Sequence, residues 1–312
     1  MGAQHVLISE VGPRDGLQNC RAIMPTEAKK TLIDRLAAAG LKEIEVGSFV
    51  SPKVLPHMAD TFDIVAHAKT IPGLTVAVLA PNLKGAQRAI DAGADKITLP
   101  LSVSETHSLR NINRTHAQVI DEARSIAALI ATRPPSERPH FEGSLSTAFG
   151  CTIEGLIPEA KILTLAEQLM DAGCDEVGIS DTTGYGNPQA VKRLIRSVRG
   201  VVGDDKITGV HLHNTRGLGL ANALAAWEEG ITAFDSSLAG LGGCPTAPGA
   251  SGNIVTEDLV FMFEAMGVTT GVDLDQLVAA RSHLASALPE EPLYGFYAGA
   301  GAPLGFSEHA RA

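Results

Sequence analysis

AAAGLKEIEV (37–46) ends a helical run in glycine and passes at once into a β-branched strand. Gly40 stands where a helix closes through a residue in the left-handed region, a conformation that glycine enters without steric cost. DAGADKITL (91–99), DAGCDEVGI (171–179) and EEGITAFDSS (228–237) repeat the joint around Gly93, Gly173 and Gly230. Four more apolar runs, HVLIS (5–9), LTVAVLA (74–80), HFEGSLSTAF (140–149) and KITGVHLH (206–213), each precede a plausible helix. PTEAKKTLIDRLAAAG (25–40), PEAKILTLAEQLMDAG (158–173) and PQAVKRLIRSVRG (188–200) begin near proline and end at glycine, as helices prefer. Strict alternation of strand and helix implies parallel strands, and eight such units in about 265 residues match an α/β fold of the (β/α)8 TIM barrel type. A doubly wound open sheet is the alternative, and the lack of a GxGxxG after the first strand argues against it. The expected organisation is a barrel over 1–285 and a C-terminal extension over 286–312, rich in glycine and alanine, forming a mobile tail or a flap near the barrel mouth.

Composition narrows the partners. Hydrophobic residues make up 45% and charged residues 19% of the 312, the balance of a soluble globular protein. No apolar stretch approaches the roughly 18–20 residues that span a bilayer. Acidic residues outnumber basic ones 35 to 25, for a formal charge of -10, with no basic cluster to track a phosphate backbone. Neither a membrane nor nucleic acid is an expected partner. Cys20, Cys151, Cys174 and Cys244 are too few and too scattered to staple the fold, and none forms a CxxC pair. A reducing compartment fits, and strand-like sequence by Val6 leaves no room for a leader, so the expected location is cytoplasmic.

In a barrel of this kind chemistry sits at the C-terminal ends of the strands. The first strand runs into SEVGPRDGLQN (9–19), offering Arg14, Asp15 and Gln18, and the second ends in IEVGSF (44–49), offering Glu45. SDTTG (180–184) offers Asp181, and the seventh strand ends in His211-Leu212-His213. Residues two apart on a strand share a face, so both imidazoles aim into the mouth. Two neutral imidazoles and a carboxylate hold a divalent ion well. Asp15 is the expected carboxylate, because the first, seventh and eighth strands are neighbours in a closed barrel, and Asn253 is a fourth ligand through its amide oxygen. The competing readings are a hydrogen-bonded core histidine pair, and for Arg14–Asp15 a surface ion pair worth little. PRDG, however, is a turn directly after a buried strand, which places its side chains at the active end.

LAGLGGCPTAPGASGN (238–253) carries five glycines and two prolines around Cys244 and no charged residue. No Lys-Ser or Lys-Thr follows, so it is not a Walker-type phosphate loop. A small buried cysteine often only fills space. Here the flanking Gly242, Gly243 and Pro245 suggest a functional loop, with Cys244 in proton transfer and no Cys-His protease signature to make it a nucleophile.

VGPRDGLQN (11–19), IEVGSFVSPKVLPHM (44–58), DTTGYGNP (181–188) and LAGLGGCPTAPGASGN with TEDL (256–259) closely resemble the hydroxymethylglutaryl-CoA lyase family, over about residues 5 to 285. The resemblance implies Mg2+ or Mn2+ bound by Asp15, His211, His213 and Asn253. It implies that Arg14 stabilises an enolate, that Glu45 helps to position it, that Asp181 is an acid-base partner and that Cys244 lies on a mobile loop. It further implies retro-Claisen cleavage of a 3-hydroxyacyl-CoA thioester to acetyl-CoA and a keto acid, with Asp181 or His211 taking the hydroxyl proton. Arg14, Gln18, Ser48 and Arg216 are the expected substrate contacts. The chain departs from the common pattern at His-Leu-His-Asn-Thr-Arg (211–216), where many members read His-Cys-His-Asp-Thr-Tyr, and at Cys20, where an acidic residue is usual. Arg216 thus raises the prospect of citramalyl-CoA or a longer branched substrate. A Claisen-condensing synthase of the isopropylmalate type shares the Arg-Asp pair and the His-x-His spacing, and is the rival enzyme. A non-catalytic acyl-CoA or metal-binding protein is the rival outside enzymes, and the full set of competent residues argues against it. Barrels of this size are expected as homo-oligomers, dimers or tetramers.

Overall fold

A computed structural model describes residues 4–242 and 252–306. Eight strands, β1 (Leu7–Glu10), β2 (Glu43–Ser48), β3 (Thr75–Leu79), β4 (Lys96–Ser102), β5 (His140–Ser146), β6 (Glu176–Asp181), β7 (Gly209–Leu212) and β8 (Ala233–Ser236), form a closed barrel in sequence order. Every neighbouring pair is parallel, and β8 returns to β1 with Leu7 opposite Ala233 and Ser9 opposite Asp235. This is the expected TIM barrel. The helices are α1 (Thr26–Ala38), α2 (Thr61–Ala68), α3 (Leu83–Ala92), α4 (Glu105–Ile112), α5 (His116–Ala131), α6 (Glu159–Asp171), α7 (Pro188–Val202), α8 (Gly219–Glu228), α9 (Thr256–Ala265), α10 (Leu274–Ala287) and the single turn α11 (Tyr297–Ala300).

The four glycines of the repeated joint all lie in the left-handed region, with φ of 100° at Gly40, 83° at Gly93, 100° at Gly173 and 86° at Gly230. Each stops a helix and turns the chain into the next strand. α7 does not stop at Gly200. It continues to Val202 and ends at Gly203, because one helical glycine costs only about 1 kcal/mol relative to alanine and the apolar stripe of Val191, Leu194, Ile195 and Val198 already anchors the helix.

The apolar core lies outside the barrel. Ile44, Val76, Val78, Ile97, Leu99, Phe141, Val177, Ile179 and Phe234 are all nearly fully buried and alternate with the residues that face the barrel axis. The axial face is polar instead, with Ser9, Glu43, Glu45, Lys96, Glu142 and Asp235 lining a cavity of about 270 Å³. At its floor Lys96 Nζ lies 2.9 Å from Glu142, 3.3 Å from Glu176 and 3.7 Å from Glu43. Gly178 makes room for this cluster, since a Cβ there would stand 2.3 Å from Glu142 Oε1.

The expected boundary at 285 falls inside α10. The described part of the C-terminal extension packs on α9 near the mouth. Asp258 accepts from the N–H groups of Phe296 and Tyr297, and the Phe261 ring meets those of Tyr297 and Phe306 at centroid distances of 5.2 Å. Tyr294 N–H donates to Ala239 O at 2.8 Å, tying the extension to the start of the cysteine loop.

Candidate active site

After β1 the chain makes one π turn over Gly12–Gly16, in which the Val11 carbonyl accepts from the N–H groups of Arg14, Asp15 and Gly16 at 3.1, 2.7 and 3.3 Å. Single π turns of this type recur at functional sites. Arg14 and Asp15 are buried by it rather than left on the surface. Arg14 Nε donates to Glu45 Oε2 at 2.6 Å, its Nη2 lies 2.5 Å from the same oxygen, and Nη1 donates to Asp15 Oδ1 at 2.7 Å. Gln18 Nε2 also donates to Asp15 Oδ1, at 2.7 Å. Burial would raise the Asp15 carboxyl, but Arg14, His211, His213 and Asn253 hold it down to about 2. Burial pushes Glu45 up to about 7 in spite of Arg14, and its Oε1 is buried without a partner among the described residues.

His211 and His213 converge on Asp15 as the strand period requires. Their Nε2 atoms are 3.1 Å apart, and Asp15 Oδ2 lies 3.9 Å from one and 4.0 Å from the other. Burial, then the neighbouring His211, lowers His213 to about 4, so it is a neutral donor at neutral pH. Burial disfavours charge on His211 too, but the hydrogen bond and charge of Asp235 raise it. Asn253 bridges back to His213 and donates through Nδ2 to Asp15 Oδ2 at 2.7 Å, while its buried Oδ1 has no partner among the described residues.

These residues fit a divalent cation. One ligand atom from each of Asp15, His211 and His213 lies within 4.8 Å of the others. A half-turn of the Asn253 amide exchanges its donor for the orphaned oxygen, which is the atom a cation attracts. Asp15, Glu43, Glu45, Glu142 and Asp235 all line the same cavity against Arg14 and Lys96, an excess of carboxylate that a cation relieves. Imidazole and carboxylate together suit several divalent metals.

Three expected site residues, the acid-base partner Asp181 and the substrate contacts Arg216 and Ser48, do not line the cavity. Asp181 lies opposite Leu212, whereas its neighbour Ser180 lies opposite His211, so strand alternation turns Asp181 away from the axis. Its carboxylate accepts from the N–H groups of Tyr185 and Gly186, both at 2.9 Å, and shapes the loop after β6. Arg216 is likewise engaged with that loop. Its Nη1 donates to the carbonyls of Thr183 and Gly184 and its guanidinium stacks 5.0 Å from the Tyr185 ring centroid. Ser48 follows a bulge in β2 and is buried, with its hydroxyl oxygen 3.4 Å from the Val50 N–H, and is not part of the cavity wall. Cys244 lies outside the described residues. Among residues that the strand-end reading missed, Asp235 lines the cavity and contacts His211. Its signal was position: it stands opposite His211 on the neighbouring strand, on the same inward face.

A family model described as HMGL-like matches residues 5–284. The mitochondrial hydroxymethylglutaryl-CoA lyase of Mus musculus is 42% identical over 285 residues, 91% of this chain and 86% of its own length. That of Arabidopsis thaliana is 45% identical over 275 residues, 88% of this chain, and the match spans 58% of the plant protein's length. A Pseudomonas aeruginosa 3-hydroxy-3-isohexenylglutaryl-CoA/hydroxymethylglutaryl-CoA lyase is 41% identical over 91% of this chain and 93% of its own. Among solved structures, an HMG-CoA lyase from Acinetobacter baumannii in complex with coenzyme A and 3-methylmalate superposes with a TM-score of 0.90 at 40% identity, covering 98% of this chain and 99% of that one. The chain belongs to the HMGL-like family and is a carbon–carbon lyase of the hydroxymethylglutaryl-CoA lyase type.

Proposed function

We propose that the chain cleaves a 3-hydroxy-3-methylglutaryl-CoA-type thioester to acetyl-CoA and the keto acid acetoacetate. The observation that carries this reading is the convergence of Asp15, His211 and His213 beside the buried Arg14–Glu45 pair in one cavity at the barrel mouth. Mg2+ or Mn2+, held by Asp15, His211, His213 and Asn253, would act as a Lewis acid that eases deprotonation of the substrate hydroxyl. The reading assigns that proton to Glu45, whose Oε1 has no donor among the described residues and whose carboxyl burial raises to about 7, near the pH at which a base works best. As the bond between C2 and C3 breaks, C3 becomes the ketone carbon and the electron pair passes to the thioester enolate. Arg14, whose guanidinium the carboxylates of Glu45 and Asp15 hold charged, stabilises the enolate oxygen. Cys244 is the expected proton donor to C2, and it sits in sequence between Gly242, beside Asp15, and Asn253.

Arg216 is bound to the loop after β6, so the structure gives no support to a substrate chosen by that side chain. Cys20, Cys151 and Cys174 are unpaired and buried, which supports a reducing, cytoplasmic setting, and no helix among the described residues is long and apolar enough to cross a membrane. Assembly into dimers or tetramers is part of the same reading.

The test is acetyl-CoA release from hydroxymethylglutaryl-CoA by the purified chain. Release should vanish on chelation and return with Mg2+ or Mn2+, and full activity in chelator would overturn the metal site. Cys244→Ser should lose most turnover and keep its Mn2+ affinity.

A further inference from the structure

The two histidines of the cluster are held in different ways. His211 Nδ1 lies 3.0 Å from Asp235 Oδ2, whereas Nδ1 of His213 is buried with no hydrogen-bond partner among the described residues. A proton on His211 Nδ1, donated to Asp235, leaves a lone pair on Nε2, and Nε2 is the atom that faces Asp15 and His213. The sheet itself fixes this contact, because His211 on β7 and Asp235 on β8 are directly paired in register. Asp235 stands outside the group of ligating atoms formed by Asp15, His211 and His213.

We propose that Asp235 is a positioning residue that sets the tautomer and ring orientation of His211, and through them the affinity of the site for a divalent cation. A carboxylate behind a histidine ligand holds the ring, keeps the metal-facing nitrogen free of its proton and makes it more basic, and loss of such a partner weakens metal binding about 10- to 100-fold. Among the described residues His213 has no carboxylate behind its Nδ1, and Asp235 supplies the orienting contact to the imidazole pair. The inference rests on the metal reading above.

Mn2+ titrated into the metal-free full chain, with the free ion counted by electron paramagnetic resonance, tests it without substrate. Asp235→Asn keeps the shape and removes the charge, and Asp235→Ala removes the acceptor. Both should raise the Kd for Mn2+ about 10- to 100-fold, with the thermal midpoint of the metal-free protein little changed. Nitrogen resonances of the His211 ring, recorded in the metal-free wild type at a pH where the ring is neutral, should show Nδ1 protonated and Nε2 bare. A Kd within about twofold of wild type in the folded variants, or a wild-type ring with bare Nδ1, overturns the inference. If Asp235→Ala does not fold, Asp235→Asn and the wild-type tautomer decide. A wild type that binds no Mn2+ brings down the metal reading and this inference together, whereas normal wild-type binding with indifferent variants brings down the inference alone.

Discussion

Arg14 shows how much a single side chain carries here. Its Nε and Nη2 converge on one oxygen of Glu45 while Nη1 reaches Asp15, so the planar fork is fixed on two sides before any substrate arrives. A lysine keeps the charge but is a point donor on a flexible stem and cannot hold both carboxylates in that geometry. Arg14→Lys should therefore lower kcat about 10²- to 10³-fold, the range for loss of one preorganised charge-stabilising donor, while Mn2+ binds within about tenfold of wild type. Steady-state kinetics beside a Mn2+ titration separate the two effects, and a kcat within threefold of wild type would remove Arg14 from the chemistry. The sequence announced this residue through PRDG, a turn directly after a buried strand. It announced His211 and His213 through their spacing of two.

At the scale of elements, the joints were legible because each depends on a local property. Glycine stops a helix in the left-handed region, and the four joint glycines do so. Alternation along a strand is equally local, yet reading residues by closeness to a strand end, rather than by which face they share with His211, selected Asp181 and passed over Asp235. What sequence could not supply is contact between distant segments. Glu10 Oε1 accepts from the N–H groups of Gly12 and Leu238 at 2.8 and 2.9 Å, and Oε2 accepts from Thr256 Oγ1 at 2.7 Å, so one carboxyl joins β1, the π turn, the start of the cysteine loop and α9. Burial lifts it to about 8 against those bonds. The folded chain therefore keeps a proton that the unfolded chain releases above its ordinary value of 4.5. This contribution to stability is complete below the unfolded value and is lost as pH rises through the folded one. Glu10→Gln imitates the protonated form at every pH. Between pH 5 and 8 its stability relative to wild type should improve by about 1.4 kcal/mol per pH unit, read from denaturant unfolding at each pH. Parallel curves for the two proteins would show that Glu10 is not protonated in the fold.

For the whole molecule, the division of labour is apolar outside the barrel wall and charged within it. The layer between strands and helices supplies the cohesion, with Phe141, Phe234 and Phe263 among its largest fully buried side chains. That arrangement leaves the axis free for polar groups from the His211–His213 mouth to the Lys96 floor, and the same residues that shape the cavity become a stability problem. Glu43, Glu142 and Glu176 face Lys96, which their charges keep protonated although burial opposes it, and Glu176 also lies 3.0 Å from His140 Nε2. Removing one partner from a buried ion cluster costs about 3–5 kcal/mol, because the remaining charges lose their compensation. Lys96→Met should therefore lower the thermal midpoint by several degrees, and more at pH 8 than at lower pH, because burial raises the Glu142 carboxyl and its protonation relieves the cluster as pH falls. Adding Glu142→Leu to Lys96→Met should recover part of the loss, since it removes the carboxylate closest to Lys96, and the non-additivity measures their coupling. A midpoint unchanged in Lys96→Met at pH 8 would mean that the three glutamates are solvated through the barrel floor and do not depend on the lysine.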